Sequence, residues 1–430
     1  MKENFLLKTK NAERLYNEYA RDLPIIDFHN HVSVGELKSD KHYRDIVELW
    51  LEADPYKHRL MRIAGIPERY ITGDAEPFEK FSRFAEIFPR LAGNPVYDWA
   101  RMELAEIFGI DEPLCTDSAE RIYERCNELL GGEEYTSRKI LSRFNIEYQS
   151  PVASLLDGLE VFDAPGVAPS LRADDLIEPA DSLIASLEAE VGISVKDADS
   201  YVAAVAVMLD RFAAGGCRIA DHALDSDFFS GDDAKKREDM LVRLAAEYKK
   251  RGWTLLLHID AKRRTSDRLR RLAGPAGGYA AAGGRFDLPA LTDLIGRMER
   301  EGGLPDVIIF PLNMSDQAPL AILQGSFSED GTSSKVSLGP AWWWCDHALG
   351  IENTLEAIAS FGVLSEFVGM TTDSRSILSF VRHDYFRRIF CTFIDRLNDE
   401  RDLEMSYETM GEIVQKVCYE NARKKISKGK

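Results

Sequence analysis

The sequence predicts an α/β protein built as a (β/α)8 barrel with a helical insertion after the first strand. Two observations carry that prediction. Eight short apolar runs of the kind that form buried parallel strands recur along the 430 residues, and helical patterns separate most of them. Between the first and second runs, about 100 residues are dominated instead by amphipathic helical segments, as a barrel with an insertion would show. The first run, 24–29, reads Pro-Ile-Ile-Asp-Phe-His. The stretch 41–141 has few β-branched runs and carries amphipathic segments at 98–108 and 119–130, which places a helical insertion at 36–141. Strand-like runs resume at 144–148, 167–172, 217–223, 254–259, 307–312, 334–338 and 367–372. Helical patterns lie at 235–250, 288–300, 351–361 and 385–396. The same alternation permits an open doubly wound sheet. With no internal repeat and no low-complexity linker, residues 1–430 read as one barrel domain. The Gly/Ala-rich patch 273–284 reads as a mobile loop and the basic tail 424–430 as a frayed end.

Composition narrows the function. There are 54 Lys+Arg against 72 Asp+Glu, a net charge of −18, which excludes a nucleic-acid backbone or a membrane surface as partner. A 45% hydrophobic content supports a large core. The cysteines Cys115, Cys126, Cys217, Cys345, Cys391 and Cys418 are scattered without a CxxC pair, as in a reducing cytosol. The first 20 residues are charged throughout and carry no secretory pattern, and no run of about 18 apolar residues occurs. A cytoplasmic protein is expected.

His29 and His31 form an HxH pair at the end of the first strand-like run. Alternate strand residues point the same way, so both imidazoles can face one side at the strand's C-terminal end, where barrel enzymes place their chemistry. Imidazole is a common ligand for zinc and similar ions, although two surface histidines would read the same. Asp373 follows the eighth run; there it could close the metal site, act as a general base, or cap a helix. Arg172 and Arg375 also follow runs and offer rigid donor forks to an anion, or are ordinary exposed arginines. His222 and His258 end the fourth and fifth runs as further ligands, acid/base groups, substrate contacts or core histidines. Trp342-Trp343-Trp344 could wall a sugar pocket or simply pack. The run 262–271, with six basic residues, reads as a solvated face. No Walker A, GxGxxG or GxSxG motif is present.

Taken together these segments resemble the uronate isomerases of the amidohydrolase superfamily, also called glucuronate isomerases. The matching pieces are Asp27-Phe28-His29-Asn30-His31, Tyr56-Lys57, Arg59-Leu60-Met61-Arg62 and Asn94-Pro95-Val96-Tyr97. Then come Pro169-Ser170-Leu171-Arg172, Gly216-Cys217-Arg218-Ile219-Ala220-Asp221-His222 and Leu257-His258-Ile259. The last are Ala341-Trp342-Trp343, Thr372-Asp373-Ser374-Arg375-Ser376, Arg382-His383 and Tyr385-Phe386-Arg387-Arg388. The resemblance implies a distorted (β/α)8 barrel of the metal-dependent hydrolase type. It also implies one divalent metal, expected to be zinc, on His29, His31 and Asp373. By the same resemblance Tyr56, Arg172 and Arg375 contact the substrate, with His258, Trp342 and Trp343 beside them, and a homo-oligomer is expected.

The family interconverts aldose and ketose sugar acids, D-glucuronate with D-fructuronate and D-galacturonate with D-tagaturonate. Such a reaction moves a proton between adjacent carbons through an enediol, so it needs a base and a group that stabilises an oxyanion. Asp373 is the candidate base, Arg375 or the metal polarises the carbonyl, and Tyr56 moves the hydroxyl proton. The alternatives are an isomerase or epimerase of another sugar acid, a metal-dependent lactone or amide hydrolase of the superfamily, and a non-catalytic sugar-acid binder. Departures from the family pattern cluster at the rim. Pro55 stands where many members have His, Gln149-Ser150-Pro151-Val152 replaces a Thr-Asp-Asp-Pro-like segment, and Asp98 stands for a usual His. Beyond His258, Asp260 replaces a Gly and Lys262-Arg263-Arg264 an Asn-rich stretch.

Overall fold

Seven strands form one curled parallel sheet in the computed structural model, which describes residues 2–162, 164–274 and 277–427. They are β1 (Ile25–Asn30), β2 (Ile146–Ser154), β3 (Ser170–Arg172), β4 (Ile219–Leu224), β5 (Thr254–Ile259), β8 (Asp306–Pro311) and β9 (Val336–Leu338), paired in that order. Each apolar run of the sequence up to 338 contributes one of them. A separate two-stranded antiparallel hairpin pairs β6 (Ala261–Lys262) with β7 (Ala281–Ala282). All six residues of β1, β5 and β8 are buried, as strands covered on both faces must be. Helices such as Ala234–Lys250, Leu288–Glu301 and Ala348–Phe361 supply the outer layer.

The run 367–372 does not form a ladder strand. Its backbone meets β1 through Asp373 N donating to His29 O and His31 N donating to Ser374 O. Between those bonds a carboxylate takes the place of the ladder. Asp27 is fully buried and accepts from Thr371 Oγ1 at 3.0 Å, Thr372 N at 2.7 Å, Thr372 Oγ1 at 2.8 Å, Asn30 Nδ2 at 2.7 Å and His383 Nε2 at 3.1 Å. Burial alone would push its pKa up, but these donors and His383 hold it below the usual carboxylate value. The segment is therefore held to β1 by the Asp27 side chain together with those two backbone bonds. Asp27→Ala leaves those donors buried and unpaired, and chemical denaturation should show a loss of about 3–5 kcal/mol.

Between β1 and β2 the chain is helical, with helices including Ile46–Trp50, Pro55–Ile63, Pro77–Ile87, Pro95–Phe108 and Ala119–Leu130. Helix Pro55–Ile63 starts on Asp54, whose side chain accepts from the backbone N–H groups of Tyr56 and Lys57, with Pro55 in the first turn. That cap sets Tyr56 at the helix N-terminus, facing the barrel. The 20-residue helix Val381–Glu400 closes the chain's return and is buried along most of its length.

Two loop expectations change. Within the Gly/Ala-rich patch, 275–276 lie outside the described residues, while β7 pairs with β6 and Arg59 Nη1 donates to the carbonyls of Gly278 and Ala280. Gly278 has φ +78°, and a Cβ there would come within 2.2 Å of Pro55 O, so only glycine lets this segment seat against the insertion. In the tail, Asn421–Ser427 is helical and Lys425 Nζ lies 3.0 Å from Asp306 Oδ2; residues 428–430 lie outside the described chain. Among the described residues no helix is long and apolar enough to cross a membrane.

Candidate active site

At the C-terminal ends of the strands lies a cavity of about 290 Å3, lined by His29, His31, Tyr56, Arg172, His258, Trp342, Trp343, Asp373 and Arg375. These nine residues expected from sequence thus reach one cavity, at the small end of the roughly 300–1,000 Å3 range of ligand pockets, whereas His222 does not. Asp221, Arg263, Ser374 and Ser376 also line it.

The HxH pair faces inward together. His29 Nε2 lies 3.2 Å and His31 Nε2 3.0 Å from Asp373 Oδ1. Asp373 adopts φ +46°, a left-handed conformation that Asp tolerates, and this turns its carboxylate back over β1. The helical cap nearby is Ser376, which accepts from Leu378 N, so Asp373 is not a cap. Its Oδ2 accepts from Trp342 Nε1. Burial would raise the Asp373 pKa, but the two imidazoles hold it well below the usual carboxylate range. Arg172 Nη1 sits 3.4 Å from His31 Nδ1. A guanidinium can only donate, so His31 Nδ1 is the acceptor and its Nε2 points to the carboxylate.

A second cluster adjoins the first. His258 Nδ1 lies 2.6 Å from Asp221 Oδ1, and Asp221 Oδ2 is 3.8 Å from His29 Nε2. Two groups could therefore hold a metal ion, His29–His31–Asp373 and His29–Asp221–His258, each with donor atoms within 4.8 Å of one another. The donor chemistry fits a cation. His29 is 1% exposed, and neither of its ring nitrogens makes an aligned hydrogen bond. Burial lowers the His29 pKa, yet Asp221 and Asp373 pull it above the ordinary value, so the site attracts positive charge.

The arginines divide by pairing. Arg172 Nη2 lies 3.1 Å from Asp174 Oδ2, and Arg263 pairs with Asp225. Arg375 is exposed into the cavity and is neither hydrogen-bonded nor ion-paired among the described residues; it feels the like charge of Arg172 and, at longer range than an ion pair, the opposite charges of Asp373 and Asp54. A guanidinium without an ion pair keeps its fork of donors available to an anionic group.

Sequence similarity agrees with this geometry. A glucuronate isomerase family model matches residues 1–241 and 230–425. The chain belongs to the glucuronate isomerase family. The uronate isomerase of Caldanaerobacter subterraneus subsp. tengcongensis is 37% identical over 98% of this chain and 98% of its own. That of Geobacillus thermodenitrificans is 37% identical over 98% of this chain and 97% of its own. Among solved structures, the uronate isomerase of Thermotoga maritima superposes with a TM-score of 0.90 at 26% identity, over 99% of each chain.

Within this glucuronate isomerase scaffold, the structure decides between the readings of His222 and revises that of the basic run. His222 faces away from the cavity and meets Tyr248 Oη at 2.9 Å, while Asp221 faces in. Strand alternation puts neighbours on opposite faces and was the available signal. Lys57, next to Tyr56, is 2% exposed and paired with Asp54 at 2.5 Å and Glu103 at 3.6 Å, so its charge does not reach the cavity. The basic run is exposed at Lys262, Arg264, Arg268, Arg270 and Arg271, but Arg263 turns into the cavity beside Trp343. Trp343 itself has φ +50°, an outlying conformation for a bulky residue, at the cavity wall.

His222 carries a pH prediction. Burial pushes its pKa down from 6.5 to about 4, so the fold favours the neutral ring. Its contribution is complete above the unfolded value and is lost as pH falls from about 6.5 to 4, by roughly 3 kcal/mol. Urea unfolding of His222→Gln should show a shallower loss over that window than the parent protein.

Proposed function

We propose that this isomerase interconverts hexuronates, D-glucuronate with D-fructuronate and D-galacturonate with D-tagaturonate, in the cavity at the strand ends. The observation that carries the proposal is the unpaired Arg375 beside the His29–His31–Asp373 triad, in a chain of this family. A guanidinium without an ion pair suits the carboxylate of a sugar acid. The same reading treats 1–430 as one barrel domain whose insertion, 36–141, supplies Tyr56. A homo-oligomer is the assembly this reading expects, and the composition supports the cytoplasm.

His29, His31 and Asp373 are the residues that would hold a divalent ion, with zinc the fitting choice for two imidazoles and a carboxylate. Such an ion supplies Lewis acidity toward a substrate oxygen. Arg375 binds the carboxylate and Arg172 donates toward a hydroxyl or the developing oxyanion. Trp342 and Trp343 wall the pocket and keep water out. Both Asp373 oxygens are engaged, Oδ1 by the imidazoles and Oδ2 by Trp342, which favours the ligand role over the base role. His258 is the better base. Its Nδ1–H is committed to Asp221, which leaves the lone pair of its buried, unpartnered Nε2 to accept the carbon-bound proton. The Tyr56 hydroxyl, whose pKa burial pushes up, stays protonated and moves the proton between the substrate's oxygen atoms.

Proton NMR of the metal-loaded protein with a panel of hexuronates in heavy water tests this. Interconversion of aldose and ketose with deuterium entering the adjacent carbon is expected. Turnover of a lactone with no change in any uronate would overturn the reading.

A further inference from the structure

Arg382 is 1% exposed on the first turn of helix Val381–Glu400 and makes a single long ion pair among the described residues, with Asp54 and Glu103 attracting it from farther away. Its closest carboxylate is Asp346 Oδ2 at 3.6 Å, and its Nη1 reaches Thr372 O only at 3.5 Å. Its Nε and Asp346 Oδ1 are both buried without a hydrogen-bond partner. What the guanidinium does touch is aromatic. Its centre lies 3.7 Å from the ring of Trp99 and 4.9 Å from the ring of Tyr56. These rings meet edge-on with centroids 5.6 Å apart.

A buried charge with one long ion pair is a poor stabilising device, because desolvation offsets most of the attraction and an apolar side chain of similar volume is often at least as stable. The contacts make more sense as placement. Tyr56 and Trp99 belong to two helices of the insertion, whereas Thr372 precedes Asp373 and Asp346 follows the tryptophan run. A planar, weakly hydrated guanidinium can stack on one ring face and meet another while its donors reach the barrel, which an ammonium cannot do.

We infer that Arg382 is a positioning residue that locks the Tyr56 ring of the insertion to the Asp373 end of the barrel, so that the tyrosine hydroxyl holds its place over the substrate. The inference rests on Tyr56 acting in the reaction proposed above. It assigns Arg382 no contact with substrate.

Arg382→Met fills the space without the charge. The expected result is a fall in kcat of about 30-fold, with KM within about 3-fold and an unfolding midpoint that is not lowered. In a Tyr56→Phe background the same change should cost less than about 3-fold, since the group it positions is gone. Arg382→Lys, which keeps the charge and loses the stacking, should behave like Arg382→Met in both backgrounds and serves if that variant fails to fold. A readout independent of turnover is 3-fluorotyrosine placed at position 56. Its fluorine NMR line should be single and sharp in the parent protein, and split or broadened in the Arg382 variants. Equal kinetic cost in both backgrounds, an unchanged fluorine line, or failure of both variants to fold would make Arg382 a core residue and overturn the inference. A parent protein that turns over no hexuronate while its fluorine line still responds to Arg382 would sink the substrate reading alone.

Discussion

His29→Asn should empty the proposed metal site and lower turnover by more than about 1,000-fold. His29 belongs to both possible ligand groups, so its loss disables either one. Changing a residue behind a metal ligand already costs about 10–100-fold in affinity or activity, and removing the ligand costs more. His258→Asn is the informative contrast. If the ion sits on His29, His31 and Asp373, that variant keeps its metal and loses turnover, because only the proton acceptor is gone. Elemental analysis of the purified variants, alongside rates, separates the two arrangements. Loss of metal from His258→Asn with retention in His31→Asn would move the ion to the Asp221 side. Chelation followed by zinc addition should remove and restore the activity of the parent protein.

Arg375→Met carries the second largest expected effect. Two parallel charge-assisted hydrogen bonds to a carboxylate, at about 1.5–3 kcal/mol each, correspond to a loss of roughly 100- to 10,000-fold in kcat/KM. The loss should fall chiefly on KM, since a carboxylate remote from the reacting carbons is bound alike in ground and transition states. Arg172→Met should differ: Arg172 also touches His31 Nδ1, so kcat should fall with it. Steady-state kinetics of both variants on the same hexuronate provides the check. An unchanged KM in Arg375→Met would remove this residue as the carboxylate receptor.

The site was legible in sequence wherever local geometry decides it. Residues two apart on a strand share a face, so His29 and His31 had to point together. Residues just past a strand's C-terminal end belong to the mouth of a barrel, which located Arg172, Asp373 and Arg375. The aromatic run at Trp342 and Trp343 was readable for the same reason. Asp221 was within reach of that reasoning, because the inward position of β4 falls on it once His222 is placed outward.

Other features depend on contacts between distant parts of the chain. Arg263 sits in a run of basic residues that are otherwise solvated, and only the β6–β7 hairpin, which pairs segments about 20 residues apart, turns it into the cavity. Lys57 looks like a free cation until Asp54 and Glu103 close on it. An apolar run at 367–372 predicts a strand. Whether it makes a ladder depends on what faces it, and Asp27 supplies a buried carboxylate whose oxygens capture Thr371 and Thr372.

By itself, then, the sequence determined the order of the seven sheet strands, the helical stretch between the first two of them and most of the residues gathered at the mouth. Periodicity and chain direction are local properties that any short window of residues expresses. The tertiary structure alone decided which charges are spent on one another and which stay free. Of three arginines at the cavity, Arg172 and Arg263 are paired with Asp174 and Asp225, and Arg375 is left without an ion pair among the described residues. Pairing depends on distances of a few ångströms between residues far apart in the chain, and on burial that makes an unpaired charge costly.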